Sequence, residues 1–221
     1  AGGGHIGGSL SVMDILVTLY GAVMRFDPAR PDWTDRDRLI LSKGHACAAL
    51  CPVLAECGYF DEAALDTFNK LDSPFGMHPD MHKIPGCDMS AGSLGHGLAI
   101  GAGMAMAGRF DRKDYRVYVV LGDGECSEGS IWEAAMAAPN LGLGRLTVIM
   151  DRNRIQNDDF VERIMPIEPV ADNATLGLGT LASGAINIYK RTLNGHLITA
   201  LGEVPEGAVK RIGDAIRPAV Q

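Results

Sequence analysis

Cysteine is scarce in this sequence, and the few cysteines present are not arranged as disulfide or metal-binding pairs. There are five among 221 residues, an odd number without a repeated spacing. Cys47 and Cys51 are four residues apart, but no second pair completes a zinc site. The pattern favours free, buried thiols in a reducing compartment, so we expect a cytoplasmic protein.

Excess positive charge and long hydrophobic runs are also missing. Twenty basic residues against 27 acidic ones give a formal net charge of −7, which argues against general affinity for nucleic acid or an anionic membrane surface. No apolar run approaches the ~20 residues of a membrane span. No charged segment followed by an apolar stretch opens the chain, as in a secretory signal. We therefore expect no nucleic-acid partner and no membrane insertion.

Alternating helical and strand patterns dominate what is present. Hydrophobic residues make up 47% of the chain, enough for one domain with a substantial core. Helical spacing runs from Ser9 to Met24, where Ser11 and Asp14 fit a capping box. Further predicted helices end near Gly58, cover 97–108 and cover 130–141, and the apolar runs 39–41, 117–121 and 146–150 predict strands. This order predicts an α/β fold with a parallel sheet flanked by helices.

Two of the predicted strands end in residues that suit a hard cation. Asp123 leaves the first strand between Gly122 and Gly124, and Asn153 follows the second strand about thirty residues later. Ligands of parallel sheets bind outside the carboxyl ends of the strands, so these oxygens are expected to converge. The Ile155 carbonyl is a candidate third ligand for Mg²⁺, which binds few protein groups together with substrate phosphates. The two glycines would let the backbone approach a diphosphate.

Several short motifs are similar to those of the transketolase family. Gly122-Asp123-Gly124 followed by Asn153 resembles the thiamine diphosphate motif, and the other matches run in order between residues 1 and 172. They are Gly4-His5-Ile6-Gly7-Gly8-Ser9, Ser42-Lys43-Gly44-His45-Ala46, His78-Pro79-Asp80, Gly92-Ser93-Leu94-Gly95-His96-Gly97, Glu128-Gly129-Ser130-Ile131-Trp132-Glu133-Ala134-Ala135 and Asp151-Arg152-Asn153-Arg154-Ile155-Gln156. The resemblance implies the thiamine diphosphate-binding (PP) domain fold and transfer of a two-carbon ketol unit between a ketose and an aldose.

The resemblance also assigns site residues. His5, His45 and His78 match three active-site histidines, and histidine suits proton transfer near neutral pH. Asp123, Asn153 and Ile155 would hold Mg²⁺, with Gly122 and Gly124 at the diphosphate. The resemblance places four more residues near the cofactor: Gly92 and Leu94 against the aminopyrimidine ring, His96 as a hydrogen-bonding or catalytic group, and Glu128 beside the cofactor-activating carboxylate at a subunit interface.

A separate partner chain is a further implication of the resemblance. The glutamate that activates the cofactor in this family belongs to a pyrimidine-binding domain, for which we find no counterpart in this sequence. We therefore expect a split enzyme, inactive alone, in which two copies of this chain join two copies of a carboxyl-terminal subunit in a heterotetramer. Its substrates would be sugars or sugar phosphates, from central metabolism or from a specialised pathway.

The carboxyl-terminal part departs from the family pattern. We treat residues 1–221 as one domain, with the resemblance confined to 1–172 and a tail at 173–221 that is either divergent or discontinuous with the rest, where only 186–201 loosely resembles the strand and helix of the family. Two other functions remain open at this stage. One is another thiamine diphosphate enzyme, such as a 2-oxo acid dehydrogenase alpha chain or a deoxyxylulose phosphate synthase relative, and the other is a non-catalytic binding module.

Overall fold

A computed structural model describes residues 3–168, 189–193 and 196–201. Five helices lie in this part of the chain: α1 (Ile6–Thr18), α2 (Cys47–Glu56), α3 (Gly97–Phe110), α4 (Gly129–Asn140) and α5 (Val161–Ile164). Seven strands accompany them: β1 (Arg38–Leu41), β2 (Val117–Gly122), β3 (Leu146–Asp151), β4 (Ile155–Gln156), β5 (Asp159–Phe160), β6 (Tyr189–Leu193) and β7 (His196–Leu201). A π-helical turn (Leu19–Val23) and short 3-10 turns at Gly44–Ala46, Glu62–Thr67 and Gly124–Ser127 complete the elements.

The central sheet confirms the predicted parallel arrangement. Its order is β1-β2-β3-β7-β6, and β1, β2 and β3 run parallel. Gly122 pairs in register with Asp151, so β2 and β3 end side by side. Residues 123 and 153 therefore leave the sheet at the same edge, as the sequence predicts.

The other side of β3 carries a hairpin. Strands β6 and β7 pair antiparallel, with Leu193 opposite His196, and β7 pairs antiparallel with β3. The expectation of a strand followed by a helix at 186–201 is therefore wrong. Asn194-Gly195 is a dipeptide typical of tight hairpin connections, and Ile198 and Thr199 favour a strand.

Alternate residues of the central strands form two hydrophobic cores, one on each face of the sheet. Val117, Val119 and Leu121 face α3 and α4, whereas Tyr118 and Val120 face α1 and α2. Every residue of β2 and β3 is buried, because helices cover both faces. This packing fixes the strand ends that carry the polar residues.

Helix α3 lies very close to the sheet. A Cβ added at Gly101 would lie 2.5 Å from Cγ2 of Val119, and one added at Gly97 would lie 2.3 Å from Oγ of Ser42. Any larger residue at these positions would displace the helix or the strand. The small-residue pattern at 97–108 therefore reflects close helix–sheet packing.

Helix α1 differs from its prediction at its start and in its length. It begins at Ile6 with His5 at the N-cap, so Ser11 lies inside the helix and does not form the predicted capping box. Together α1 and the following π-helical turn form an 18-residue segment, Ile6–Val23, apolar and long enough to satisfy a membrane-span test. Within this segment, Val12 and Leu16 are fully buried in the core. A buried core helix has the same length and composition, so the segment is weak evidence for a membrane span.

Candidate active site

Asp123 occupies the buried edge where β2 ends. Its side chain is almost fully buried, and Oδ1 accepts a hydrogen bond from the Gly124 amide at 2.8 Å. Oδ2 accepts from the Arg154 amide at 2.6 Å and from Nη1 of Arg152 at 2.8 Å. Backbone amides and the Arg152 guanidinium thus hold the carboxylate in one orientation without a metal ion.

Arg152 is a buried cation at this edge. Its side chain is 3% exposed and also pairs with Glu162 at 2.6 Å and with Glu168 at 3.2 Å. Burial lowers the pKa of the guanidinium, but the hydrogen bonds to Asp123 and the two glutamates outweigh it and raise the pKa overall. Arg152 therefore links the Asp123 carboxylate to the segment that follows β5.

Asn153 lies beside Asp123 with its amide fixed from two sides. Its Nδ2 donates to Oγ of Ser11 at 3.3 Å, and its Oδ1 accepts from the Ile155 amide at 2.9 Å. An amide oxygen has two lone pairs, so Oδ1 keeps one for another ligand. Within the part of the chain described here, no three His, Cys, Asp or Glu side chains converge as a metal site. The oxygen donors at this edge fit a hard cation that also uses diphosphate oxygens.

A second buried ion pair spans the strand ends. Nζ of Lys43, just after β1, donates to Oδ2 of Asp151 at 2.6 Å, and the two side chains are 1% and 0% exposed. Oγ of Ser11 donates to the same oxygen at 2.6 Å. Oδ1 of Asp151 is buried without a hydrogen-bond partner. These contacts tie α1 and β1 to the end of β3, across the end of β2.

The three predicted histidines converge from three separate segments. The ring centroids of His5 and His45 lie 5.3 Å apart, and those of His5 and His78 lie 6.3 Å apart. His5 caps α1, His45 lies in the turn after β1, and His78 lies in the long connection before α3. A Cβ added at Gly8 would lie 3.0 Å from Nε2 of His45, so glycine at this position makes room for the imidazole.

His45 has the most perturbed environment of the cluster. Burial, followed by the positive charge of Lys43 and the neighbouring His5 and His78, together lower its pKa to about 4. Its imidazole is therefore neutral near pH 7 and has one nitrogen that accepts a proton or hydrogen bond and one that donates.

Glu125, in the 3-10 turn after β2, is a buried carboxylate whose bonds reach three chain segments. It accepts hydrogen bonds from the Ser42 hydroxyl, from the Gly95 amide at 2.9 Å and from the Gly122 amide at 3.0 Å. Burial raises its pKa, and the three hydrogen bonds oppose that rise. Ser130 at the start of α4 donates to the Gly95 carbonyl at 2.8 Å.

The remaining predicted site residues lie around this edge. Gly92 is exposed near the His78 ring, and Leu94 is half-buried in the same turn. His96 and Glu128 are exposed N-cap residues of α3 and α4. A Cβ added at Gly124 would lie 2.8 Å from Cγ of Gln156, so this glycine is required by Gln156 whatever ligand lies nearby.

Sequence patterns missed five residues that organise this edge, and weak signals existed for some of them. Lys43 and Asp151 are charged residues directly attached to apolar strands, which is typical of buried pairs. Ser11 could cap α1 only if the helix began later than Ile6. Because Ser11 lies inside the helix, its side chain faces the sheet edge instead. The set consists of Ser11, Lys43, Glu125, Asp151 and Arg152.

Comparison with known families gives two matches. The model described as the transketolase thiamine diphosphate-binding domain matches residues 1–172. A second model, described as the MucB/RseB C-terminal domain, matches residues 156–217, most of which lie outside the described residues. The assignment of 1–221 to one domain stays a prediction.

Curated relatives and solved structures agree with the first match. The chain is 45% identical over 171 residues to the 6-deoxy-6-sulfo-D-fructose transketolase subunit of Clostridium sp., covering 77% of this chain and 62% of the relative. It is 44% identical over 172 residues to a subunit of the apulose-4-phosphate transketolase of Phocaeicola vulgatus, covering 78% and 61%. Transketolase from Campylobacter jejuni superposes with a TM-score of 0.73 at 31% identity, covering 79% of this chain and 28% of that structure. The chain thus spans about three fifths of the length of these curated relatives.

Proposed function

Because the chain belongs to the family of transketolase thiamine diphosphate-binding domains, we propose that it is the N-terminal subunit of a two-component transketolase. The reaction would break the C2–C3 bond of a ketose and join the two-carbon ketol unit to the aldehyde carbon of an aldose. Family membership favours this function over the other thiamine diphosphate enzymes and over a non-catalytic module.

The histidine cluster is the observation that carries this proposal. Ketol transfer requires a proton to leave a donor hydroxyl and a proton to reach the acceptor carbonyl oxygen. His5 lies within 6.3 Å of both His45 and His78 by ring centroid, and the three come from segments that meet at one place. The neutral imidazole of His45 suits the role of proton acceptor, and His5 and His78 are exposed, so they could contact a bound sugar.

Thiamine diphosphate is the cofactor of this domain family, and when bound it would take up the electron pair released as the ketose C–C bond breaks. We propose that Asp123, Asn153 and the Ile155 carbonyl hold a Mg²⁺ ion that neutralises the diphosphate. The donor set supports this, since it consists of carboxylate, amide and carbonyl oxygens. Gly122 and Gly124 would lie along the diphosphate, with Gly92, Leu94 and His96 near the aminopyrimidine.

A separate carboxyl-terminal subunit would complete the active site. The relatives from Clostridium sp. and Phocaeicola vulgatus are named as subunits of transketolases, which supports a divided enzyme. One face of α1, beginning beside His5, exposes Ile6, Leu10 and Val17 to 68%, 68% and 53%. An apolar stripe of this kind is the surface that we expect the partner to cover, and the exposed Glu128 would meet it as well. We propose two copies of each subunit, in the cytoplasm, where the five free thiols would remain reduced.

The substrates would be a ketose donor and an aldose acceptor, and we propose that at least one carries an anionic group. This follows the names of the relatives, which refer to a sulfo-fructose and to apulose 4-phosphate. The donor panel for a test is therefore 6-deoxy-6-sulfo-D-fructose, apulose 4-phosphate and xylulose 5-phosphate.

The test is reconstitution. The chain would be purified alone and together with its partner, saturated with Mg²⁺ and thiamine diphosphate, and assayed for donor consumption with each member of the panel in the presence of an aldose acceptor. We expect no turnover from the chain alone, self-association through the α1 stripe, and turnover from the pair. Equal activity with and without the partner would refute the two-component assignment.

A further inference from the structure

Three segments that carry proposed site residues meet at a single buried carboxylate, that of Glu125. The first segment follows β1 and leads from Ser42 to His45. The second is the end of β2, leading from Gly122 to Asp123. The third is the 92–95 turn, which precedes His96 and α3. Glu125 is 2% exposed, so its bonds to all three are shielded from water.

Each bond to Glu125 fixes a different segment. The Gly122 amide donates to Oε2, at the point where β2 turns into the loop that holds Asp123. The Ser42 hydroxyl donates to Oε1 and accepts from the Gly97 amide at 3.2 Å, which leaves its orientation determined. The Gly95 amide also donates to Oε1. A carboxylate is the side chain that accepts from three donors with two oxygens.

The 92–95 turn is held from its other side as well. The Gly95 carbonyl accepts from Oγ of Ser130, so both polar groups of this residue bind side chains of the loop and helix after β2. Gly95 has a φ of +87°, and a Cβ there would lie 2.7 Å from Cβ of Glu128 and from Oγ of Ser130. Only glycine fits this conformation and this space.

We propose that Glu125 and Ser130 are positioning residues that clamp the 92–95 turn to the loop after β2 and so set the distance between the two ends of the cofactor site. Glu125 controls both ends, because it binds Gly122 and Gly95. Ser130 controls only the ring end, because its bond goes to Gly95. The inference rests on the proposed function where it places the aminopyrimidine at Gly92 and Leu94.

Two ligands would separate these roles: Mg²⁺–thiamine diphosphate, which would contact both ends, and Mg²⁺–diphosphate, which would contact only the diphosphate end. Calorimetry on the full chain with its partner would give both Kd values. In Glu125→Gln an amide –NH₂ replaces one acceptor oxygen and faces an N–H or O–H donor. We expect thiamine diphosphate to bind about ten- to hundredfold more weakly. In Ser130→Ala we expect the affinity for thiamine diphosphate to fall about two- to tenfold and the affinity for diphosphate to stay unchanged.

Asp88→Asn is the matched structural control. Asp88 is also a buried carboxylate that accepts from a backbone amide of β1, that of Leu39 at 2.7 Å, but it pairs in addition with Arg36 at 2.6 Å and lies at the opposite end of the strand. This variant is expected to lower stability without changing either Kd. The inference would be overturned by a Glu125 or Ser130 variant that binds both ligands with the wild-type Kd. It would also be overturned if the Kd values of such a variant rose no more than those of Asp88→Asn at an equal loss of stability.

Hydrogen exchange on the ligand-free protein tests the clamp without the cofactor. In Ser130→Ala, amides 92–97 should exchange about two- to tenfold faster, while those of β2 stay unchanged. Unchanged exchange at 92–97 would overturn the clamp even if cofactor binding behaved as expected. If the wild type itself failed to bind thiamine diphosphate, the proposed function would fail, and the exchange result would still decide the clamp. Should Glu125→Gln not fold, Ser130→Ala decides both measurements.

Discussion

Nζ of Lys43 lies 2.6 Å from Oδ2 of Asp151, and this buried pair joins the ends of β1 and β3 across the end of β2. Desolvation of both charges is costly, and their mutual attraction together with the Ser11 hydrogen bond offsets it. Because Lys43 also contributes to the low pKa of His45, the pair connects the stability of the sheet edge to the protonation of the histidine cluster.

Removing one partner of this pair should be strongly destabilising. We expect Lys43→Met or Asp151→Asn to lower the free energy of unfolding by about 3–5 kcal/mol, because a buried charge or polar group loses its partner. Urea unfolding at pH 7 measures this loss, and the double variant should lose less than the sum of the two single variants. Additive losses would show that the pair is not coupled.

The exposed ion pair of Arg25 and Asp114, whose atoms lie 2.8 Å apart, supplies the control for that experiment. Asp114→Asn should change the free energy of unfolding far less than Asp151→Asn does, because both side chains are largely solvated. A loss as large as that of Asp151→Asn would mean that burial does not determine the strength of these pairs.

His45 should make stability depend on pH in a defined window. Its folded-state pKa of about 4 lies below the ordinary value of 6.5, so between these values the unfolded chain binds a proton that the folded chain does not. The stability that it contributes is present above pH 6.5 and is lost as the pH falls toward 4. We expect His45→Gln to flatten this part of the curve of unfolding free energy against pH, relative to the wild type and to the exposed-site variant His82→Gln.

Nuclear magnetic resonance titration would test the physical cause. The imidazole C–H shifts of His45 should titrate near pH 4 in the wild type and at a higher pH in Lys43→Met, because the neighbouring positive charge is removed. A His45 that titrates near 6.5 in the wild type would contradict both the burial and the charge argument.

Loss of the proposed metal ligands should weaken cofactor binding. We expect Asn153→Ala to raise the Kd of thiamine diphosphate severely, and Asp123→Ala to do so with an additional loss of stability. In the second variant Arg152 would lose its buried carboxylate partner and keep only the more exposed Glu162 and Glu168. Calorimetry on the assembled complex at several Mg²⁺ concentrations measures both effects. Unchanged cofactor affinity in both variants would rule out these residues as ligands.

The histidines should affect turnover more than cofactor affinity. His5→Ala, His45→Ala and His78→Ala are each expected to reduce the turnover of the complex about 10²–10⁴-fold, as single proton-transfer groups do. The Kd of thiamine diphosphate should change far less. His82→Ala, an exposed histidine outside the cluster, is the control. If turnover stays within about twofold of the wild type in all three variants, the cluster is structural.

The parallel sheet and its polar edge were predictable from sequence because local patterns determine both. The apolar run 117–121 and the glycines around Asp123 identify a buried strand and its end, and parallel strands place their carboxyl ends together. The distances among His5, His45 and His78 now show that motifs far apart in sequence meet in space.

The buried side-chain network was not predictable, because it depends on pairings between distant segments. Arg152 follows a strand directly, a position where an arginine usually reaches solvent, yet it is 3% exposed and bound by three carboxylates. Ser11 lies inside α1 and faces Asp151, 140 positions away in the chain. Helical periodicity gives the face of a helix but not the polar group that this face meets. The expected divergence of the tail concerns residues that lie mainly outside the described part of the chain.

The close packing of α3 limits how this domain can be recombined with its relatives. Gly97 lies against Ser42, just after β1, and Gly101 lies against Val119 in β2, so the helix and these two positions have complementary shapes. A chimera that imports α3 with alanine at 97 or 101 would require smaller side chains at 42 or 119 in the same step. These four positions therefore form one block for protein engineering, to be exchanged together or left as they are.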